Sequence, residues 1–317
     1  MTNPIVSVIV PVYNKAKTVD ATLRAALDQT AQDYEILVID DGSTDDSAAR
    51  VQAIGDPRIR IIHQSNSGVS VARNRGIEEA RADWVALLDA DDHWDRDHLA
   101  QLTQALQHSR SVAVFSNHRL ETRPHRPAID PYTPPQRIFD FFGFALANGG
   151  YPIGTSSIAI RRAEAIDCGG FAAGRPMGED TDFWCRLSCR GPFDYTGRLT
   201  VIYNDAPTPD GVARNLSIPA YYPPFAEHFP QMVASGAVPA ALVGSGRRYV
   251  NFLLLEYVRQ LIDRGDYQSA RRVLLRECVL SMDPSRYWRR LMRTLPLGRL
   301  VYRLARRPSA AIALASD

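Results

Sequence analysis

Short apolar runs alternate with amphipathic stretches through the first hundred residues. Val6–Val10 is a β-branched run, and Glu35–Asp40 (EILVID), Arg58–Ile62 and Asp83–Leu88 repeat the pattern. The segments between them carry helical spacing. Thr18–Gln29 places Val19, Leu23 and Leu27 on one face, and His98–Gln107 does the same with Leu99, Leu102 and Leu106. Ser43–Ile54 opens on the capping-type residues Ser43, Thr44 and Asp45, and Val69–Ala80 completes the set. Strands that alternate with helices predict an α/β fold, with a mostly parallel sheet flanked by helices on both faces. Ligands of such sheets bind at the carboxyl ends of the strands. That rule brings Pro11-Val12-Tyr13-Asn14, Asp40-Asp41-Gly42-Ser43 and Asp89-Ala90-Asp91-Asp92 to one edge.

The pattern loosens further on. Residues 121–136 hold Pro124, Pro127, Pro131, Pro134 and Pro135 and read as loop, and residues 205–240 are again rich in proline. Ser156–Ile160 and Leu199–Tyr203 read as further strands. A boundary near residue 215 then divides an α/β domain (1–215) from a helical region (216–317). Its helices are Tyr249–Ile262, Tyr267–Leu280 and Pro284–Arg307, with Gly265 separating the first two and Pro296 kinking or ending a piece of the third.

Composition changes the picture mainly in this second region. Hydrophobic content of 45%, charged content of 23% and a net charge of +2 are ordinary for a globular chain of 317 residues. The charge is unevenly spread, however. Residues 247–307 hold 15 Arg against 5 Asp or Glu, whereas residues 1–246 hold 22 basic and 29 acidic groups. Arg289, Arg290, Arg293, Arg299, Arg303, Arg306 and Arg307 surround an apolar stripe of Tyr287, Trp288, Leu291, Leu295, Leu300, Val301 and Leu304. Three readings stand side by side: docking on an anionic membrane surface, packing on the α/β domain with a solvated arginine face, and a homodimer interface.

Cys168, Cys185, Cys189 and Cys278 form no CxxC pair and suit buried thiols of a reducing compartment. The run Ile5–Val12 lacks a basic flank and contains Ser7 and Pro11, unlike a signal peptide, and no stretch approaches eighteen apolar residues. The expected location is cytoplasmic, extending to the inner face of the plasma membrane if the basic helices bind lipid. No nucleic-acid partner is expected.

The candidate chemistry lies in the acids. Asp89 and Asp91, two apart on an extended segment, point to the same side and suit one hard divalent cation such as Mg²⁺ or Mn²⁺. An isolated pair of this kind is as readily a solvated turn, with Asp92 capping the next helix. Tyr13 could stack on a nucleotide base or be a loop tyrosine. Asp41 could accept from a base N–H or a ribose hydroxyl, or could shape the Asp-Gly turn with Asp40 taking the other part. Glu179 and Asp180, ahead of an aromatic helix, could supply a general base, or serve as first-turn acids at a helix N-terminus.

Five blocks carry a resemblance: VSVIVPVYNK (6–15), EILVIDDGSTDDS (35–47), NSGVSVARNRG (66–76), WVALLDADD (84–92), and GGF (169–171) followed by GEDTDFWCRL (178–187). In their order they resemble a family 2 glycosyltransferase of the GT-A fold, over roughly residues 4–205. The resemblance implies inverting transfer from a nucleotide-diphosphate sugar, UDP favoured, to a glycan or lipid-linked hydroxyl, in polysaccharide or glycolipid synthesis. It implies Tyr13 on the base, with Pro11 and Asn14 beside it, and Asp41 with Asp40 on base or ribose. Asp91 would hold Mn²⁺ or Mg²⁺, Asp89 would assist it or contact ribose, and Ala90 would lie between them. Arg73 and Asn74 would border the donor, Asp180 would be the general base, and Glu179, Trp184 and Gly170 would shape the acceptor side.

Other α/β chemistries fit less well. A haloacid-dehalogenase-type phosphatase needs Thr or Val where His93 stands, and a later lysine, whereas Lys15 and Lys17 are the chain's only lysines. The turn PVYNKAK has no glycine for a nucleotidyltransferase phosphate loop, and neither GxGxxG nor GxxxxGK[ST] occurs. An inactive GT-A scaffold or nucleotide-binding subunit is the non-enzyme alternative. The presence of Asp41, Asp89, Asp91 and Asp180 favours an enzyme.

Overall fold

The computed structural model describes residues 4–106, 109–175, 177–205, 220–296 and residue 298. In chain order the elements are β1 (Val6–Val12), α1 (Val19–Leu27), β2 (Tyr34–Asp40), α2 (Ser47–Ile54), β3 (Ile59–His63), α3 (Val69–Glu79), β4 (Trp84–Leu87), β5 (His93–Trp94) and α4 (His98–Leu106). There follow β6 (Ala113–Leu120), β7 (Arg123–Pro127), β8 (Gln136–Ile138), α5 (Phe141–Ala147), β9 (Ile158–Arg161), α6 (Arg162–Asp167), α7 (Glu179–Ser188) and β10 (Phe193–Tyr203). The last helices are α8 (Pro224–Ala234), α9 (Ala240–Asp263), α10 (Tyr267–Arg276) and α11 (Pro284–Thr294).

One sheet runs β3-β2-β1-β4-β9-β6-β10-β5. Its first four strands are parallel, as the alternating pattern predicts. The sheet as a whole is mixed: β9 lies antiparallel between β4 and β6, and β5 is antiparallel to β10. Every residue of β1, β2 and β4 is buried, which is why these runs are apolar without alternation. Register aligns Val12 with Asp40 and Ile9 with Leu87, and the chain beyond each strand is tied across by Asp41 N to Val12 O (2.8 Å) and Leu88 N to Ile9 O (3.0 Å). The loops after β1, β2 and β4 therefore leave the sheet at one edge.

Three departures from the sequence expectation have local causes. Helix α2 begins at Ser47 rather than Ser43, because the loop after β1 takes up the residues ahead of it. Asn14 N donates to Ser43 Oγ (3.2 Å), and Ala16 N donates to Asp45 Oδ2 (3.1 Å). Strand β6 escapes a hydropathy reading because it buries Ser116, Asn117 and His118. Asn117 is satisfied there, donating to Ile129 O (2.7 Å) and accepting from Ile129 N (3.1 Å). The proline-rich segment 121–136 contains β7, a short strand off the main path of the sheet, where proline is tolerated, and runs into β8.

The C-terminal helices share a core with the α/β part. Phe225 and Phe229 of α8 and Tyr249 and Phe252 of α9 pack in one cluster with Phe141, Phe142, Phe171 and Trp184. Phe142 stacks on Phe225 at 5.5 Å, and Tyr249 Oη donates to Gly150 O (2.7 Å). Helices α10 and α11 close a further cluster on α9 through Leu274 and Tyr287. Within the arginine-rich stripe, Tyr287 is buried and Trp288 is exposed, while Arg290 and Arg293 turn to Glu256 (3.1 Å) and Asp263 (2.7 Å) of α9. The expected boundary near residue 215, and Arg299, Leu300, Val301, Arg303, Leu304, Arg306 and Arg307, lie outside the described residues. Among the described residues the four cysteines are free thiols, and no helix is long and apolar enough to cross a membrane.

Candidate functional site

Tyr13 stands exposed where β1 ends, whereas Pro11 is buried inside the strand opposite Ile39. Asn14 is the only described non-glycine residue with positive φ (52°), a conformation that asparagine tolerates. Its Oδ1 accepts from Thr44 N (2.9 Å), locking the first loop to the second. The two aspartates that end β2 divide the work. Asp40 accepts from Ser43 N (3.1 Å) and pairs with His63 Nδ1 (2.9 Å), so it shapes the turn. Asp41, which is buried, accepts from Gln64 Nε2 (2.7 Å), Ser67 N (2.9 Å) and Gly68 N (2.8 Å). Its carboxylate thus fixes the chain entering α3, a role that the sequence does not reveal.

The acidic loop after β4 is not a solvated turn, since each carboxylate has its own partner. Asp89 Oδ1 accepts from Arg73 NH2 (2.7 Å), and Asp91 Oδ2 meets Lys15 Nζ (2.6 Å). Asp92 is buried, accepts from Ser156 Oγ and from Asn204 N (2.9 Å), and does not cap α4. Burial, then the charge of Asp89, pushes Asp92 well above the usual carboxylate range. Ala90 is buried, its carbonyl accepting from Thr18 Oγ1 (2.8 Å). Asp89 and Asp91 are left as the acids of this loop most open to a ligand.

Arg73 joins this loop to the start of α7. It is buried, and its NH1 reaches Glu179 Oε1 (3.1 Å) while NH2 holds Asp89. Burial opposes the guanidinium charge, but Asp89 and Glu179 more than reverse that and hold it above its usual range. Burial, then the charge of Asp180, lifts Glu179 to about 7. A raised carboxyl keeps its proton in the folded state, so its contribution to stability is present below about 4.5 and is lost as pH rises through 7. Glu179→Gln should flatten the decline of melting temperature over that window relative to wild type, as read by calorimetric scans at a series of pH values.

Asp180 occupies the first turn of α7 and lines a cavity of about 400 Å³. Two residues expected on the acceptor side lie inside the protein instead. Trp184 is buried against Phe171 (5.7 Å) and Phe183 (5.2 Å), because its position on α7 faces the core. Gly170, at φ 61°, packs on Asn74, whose side chain bonds both Phe171 N and Phe171 O (2.8 Å each). Asn74 is therefore a clamp on this turn rather than an open border of the site. A Cβ on Gly170 would meet Asn74 Oδ1 at 2.4 Å. Gly170→Ala should lower stability by about 1–3 kcal/mol in urea unfolding, combining strain and a broken clamp.

Two further residues, Lys15 and Ser156, hold the acidic loop. For Lys15 a signal existed: the chain has 37 basic residues, and one of its two lysines stands at the end of β1. No pattern marks Ser156, which gathers Asp89 N (3.0 Å) and Asp92 from the single helical turn Thr155–Ser157 ahead of β9.

The model of the family "Glycosyl transferase family 2" matches residues 7–170. The chain belongs to this family and is by class a transferase. It is 36% identical over 137 residues to the uncharacterized glycosyltransferase EpsJ of Bacillus subtilis, covering 43% of this chain and 40% of EpsJ. It is 41% identical over 102 residues to the succinoglycan biosynthesis protein ExoO of Rhizobium meliloti, covering 32% of this chain and 29% of ExoO. The match thus spans less than half the length of either relative. Among solved structures, TarS of S. aureus in complex with UDP-GlcNAc aligns with a TM-score of 0.68 at 16% identity, over 95% of this chain and 92% of that one. The mannosyltransferase PcManGT of Pyrobaculum calidifontis, in complex with GDP-Man and Mn²⁺, aligns with a TM-score of 0.60 at 20% identity, over 96% and 80%. The fold is GT-A, a mixed sheet with flanking helices and a helical C-terminal region.

Proposed function

We propose that the protein transfers a sugar from a nucleotide-diphosphate donor to an acceptor hydroxyl, with inversion and with a divalent cation. The observation that carries this reading is Arg73, which ties Asp89 of the acidic loop to Glu179, next to Asp180. One buried cation thereby holds the candidate diphosphate end and the candidate base in fixed relation.

Among the described residues no group of three or more His, Cys, Asp or Glu is arranged to hold a metal. Asp91 and Asp89 still fit Mn²⁺ or Mg²⁺, because Mg²⁺ in particular takes one or two carboxylates and completes its shell with phosphate and water. The ammonium of Lys15 on Asp91 marks that position as one that attracts a cation. When bound, the metal neutralises charge building on the leaving diphosphate. Tyr13 offers its exposed ring to the nucleotide base. Asp180 accepts the acceptor's hydroxyl proton as the new bond to the anomeric carbon forms and the bond to the diphosphate breaks. The name of ExoO, a succinoglycan biosynthesis protein, supports polysaccharide synthesis as the setting.

Calorimetric titration with UDP and GDP, each with and without Mn²⁺, tests the reading. Metal-dependent binding of one nucleotide is expected, UDP favoured; binding of neither by the folded protein would overturn it. Lys15→Met removes the competing ammonium and should tighten Mn²⁺ binding without nucleotide by up to about fivefold, since ion pairs open to solvent contribute at most about 1 kcal/mol.

A further inference from the structure

Folding divides the arginines of the last helices into two sets. Helices α10 and α11 pack on α9 through Ala270, Val273, Leu274 and Tyr287, and Arg271 NH2 donates to Thr294 O (2.9 Å), joining the start of α10 to the end of α11. Arg290 and Arg293 turn inward to the carboxylates of α9. The others face outward with little to balance them. Residues 266–296 hold seven Arg against three acids, and each acid is engaged within the protein. Asp266 caps α10 by accepting from Ser269 N (3.0 Å), Asp283 caps α11 by accepting from Arg286 N (2.9 Å), and Glu277 accepts from Tyr222 Oη (2.6 Å).

Arg272 and Arg276 stand one turn apart on α10, exposed, and neither has an ion pair among the described residues. With Arg271 they line a groove of about 380 Å³ between α10 and the end of α11, and no carboxylate takes part in its lining. Three guanidinium groups around one groove repel one another and favour an anion among them.

Apolar side chains are exposed on the same helices. Leu275, also in the groove, is 62% exposed, and Val279 and Leu280 follow it. Trp288 (52%) and Met292 (49%) lie one turn apart on α11, with exposed Arg289 next to Trp288. Single exposed apolar residues are ordinary, but among the described residues five of the thirteen large ones fall between residues 275 and 292. Arginine and apolar residues together on a helix surface suit the interface of an anionic bilayer. Guanidinium groups meet lipid phosphate there, apolar side chains enter beneath the headgroups, and tryptophan sits at their level. A second copy of this chain would instead bring the same positive charge against itself. Residues 1–246, with 29 acidic against 22 basic groups, favour contact through this face over the rest of the surface.

We infer that the outer face of α10 and α11 docks the protein on an anionic lipid surface, with Arg271, Arg272 and Arg276 taking lipid phosphates and Trp288 and Met292 entering the headgroup layer. The inference does not depend on the transfer reading.

The test is flotation of the full chain with phosphatidylcholine vesicles, with and without phosphatidylglycerol. Expected is flotation only where phosphatidylglycerol is present, falling as salt is raised. Arg272→Gln combined with Arg276→Gln should weaken it about thirtyfold, since each guanidinium near an anionic surface contributes about fivefold. Trp288→Ala should weaken it about tenfold through lost apolar burial. Melting temperatures should stay close to wild type in both variants, because every altered side chain is exposed. No flotation with phosphatidylglycerol, equal flotation with both vesicles, or flotation indifferent to both variants would overturn the inference. A dimer in sedimentation that Trp288→Ala dissolves, without flotation, would overturn it in favour of a second copy on this face.

Discussion

Asp180→Asn is expected to lower the rate of sugar transfer by about 10²–10⁴, the usual contribution of a positioned general base, and to leave nucleotide affinity essentially unchanged. Asparagine keeps the shape of the side chain and can still accept the bond that Asp180 Oδ1 takes from Thr181 N. What it removes is the ability to take a proton. The neighbouring acid is a poor substitute. Glu179 is bound to Arg73 and, with its proton held to about 7, is only partly ionised at neutral pH. The check pairs turnover, read as nucleotide released with acceptor present, with calorimetric nucleotide binding. Near-normal turnover in a folded variant would remove Asp180 from the role of base.

Asp91→Ala is expected to remove the metal-dependent part of nucleotide binding and to lower turnover by about 10³ or more, in line with the several kcal/mol that a Lewis acid contributes. Titration of UDP with and without Mn²⁺ reads the first effect directly. Binding in Mn²⁺ should fall to the level seen in chelator; an undiminished response to Mn²⁺ would place the cation elsewhere. Asp91 is a cleaner target than Asp89. Its internal partner, Lys15, is a partly exposed ammonium that solvent can take over. Removing Asp89 would leave the buried guanidinium of Arg73 with Glu179 as its remaining ion-pair partner, and breaking a buried pair costs about 3–5 kcal/mol. A loss of activity in Asp89→Ala would therefore mix ligand binding with folding.

The parallel half of the fold was legible because β1, β2 and β4 are buried at every position and write that burial as apolar runs. Strand β6 was not, since hydropathy does not distinguish a buried, satisfied Asn117 from a loop asparagine. Helix α8 was hidden by Pro224 at its first turn and Pro230 within it. At the site, residue types at strand ends pointed to the acids, but their partners depend on tertiary contact. Lys15 and Asp91 are 76 positions apart, and Arg73 and Glu179 are 106 apart. Asp41 shows the limit most clearly. An Asp-Gly turn after a strand is equally good chemistry for a ligand or for the amides of Ser67 and Gly68, and only the folded chain places those amides on it.

The bridge made by Arg73 has a thermodynamic corollary. One buried guanidinium is shared between an acid of the loop after β4 and an acid that opens α7, so a shift of Arg73 at either end is felt at the other. On the proposed transfer, a donor that draws on Asp89 would alter the hold on Glu179, and an acceptor settling beside Asp180 would alter the hold on Asp89. Any factor by which one substrate changes the affinity of the other must then be returned unchanged in the opposite direction. Two half-sites joined in this way would form a single linked equilibrium, in which the order of substrate addition affects the path and not the final affinity of the ternary complex.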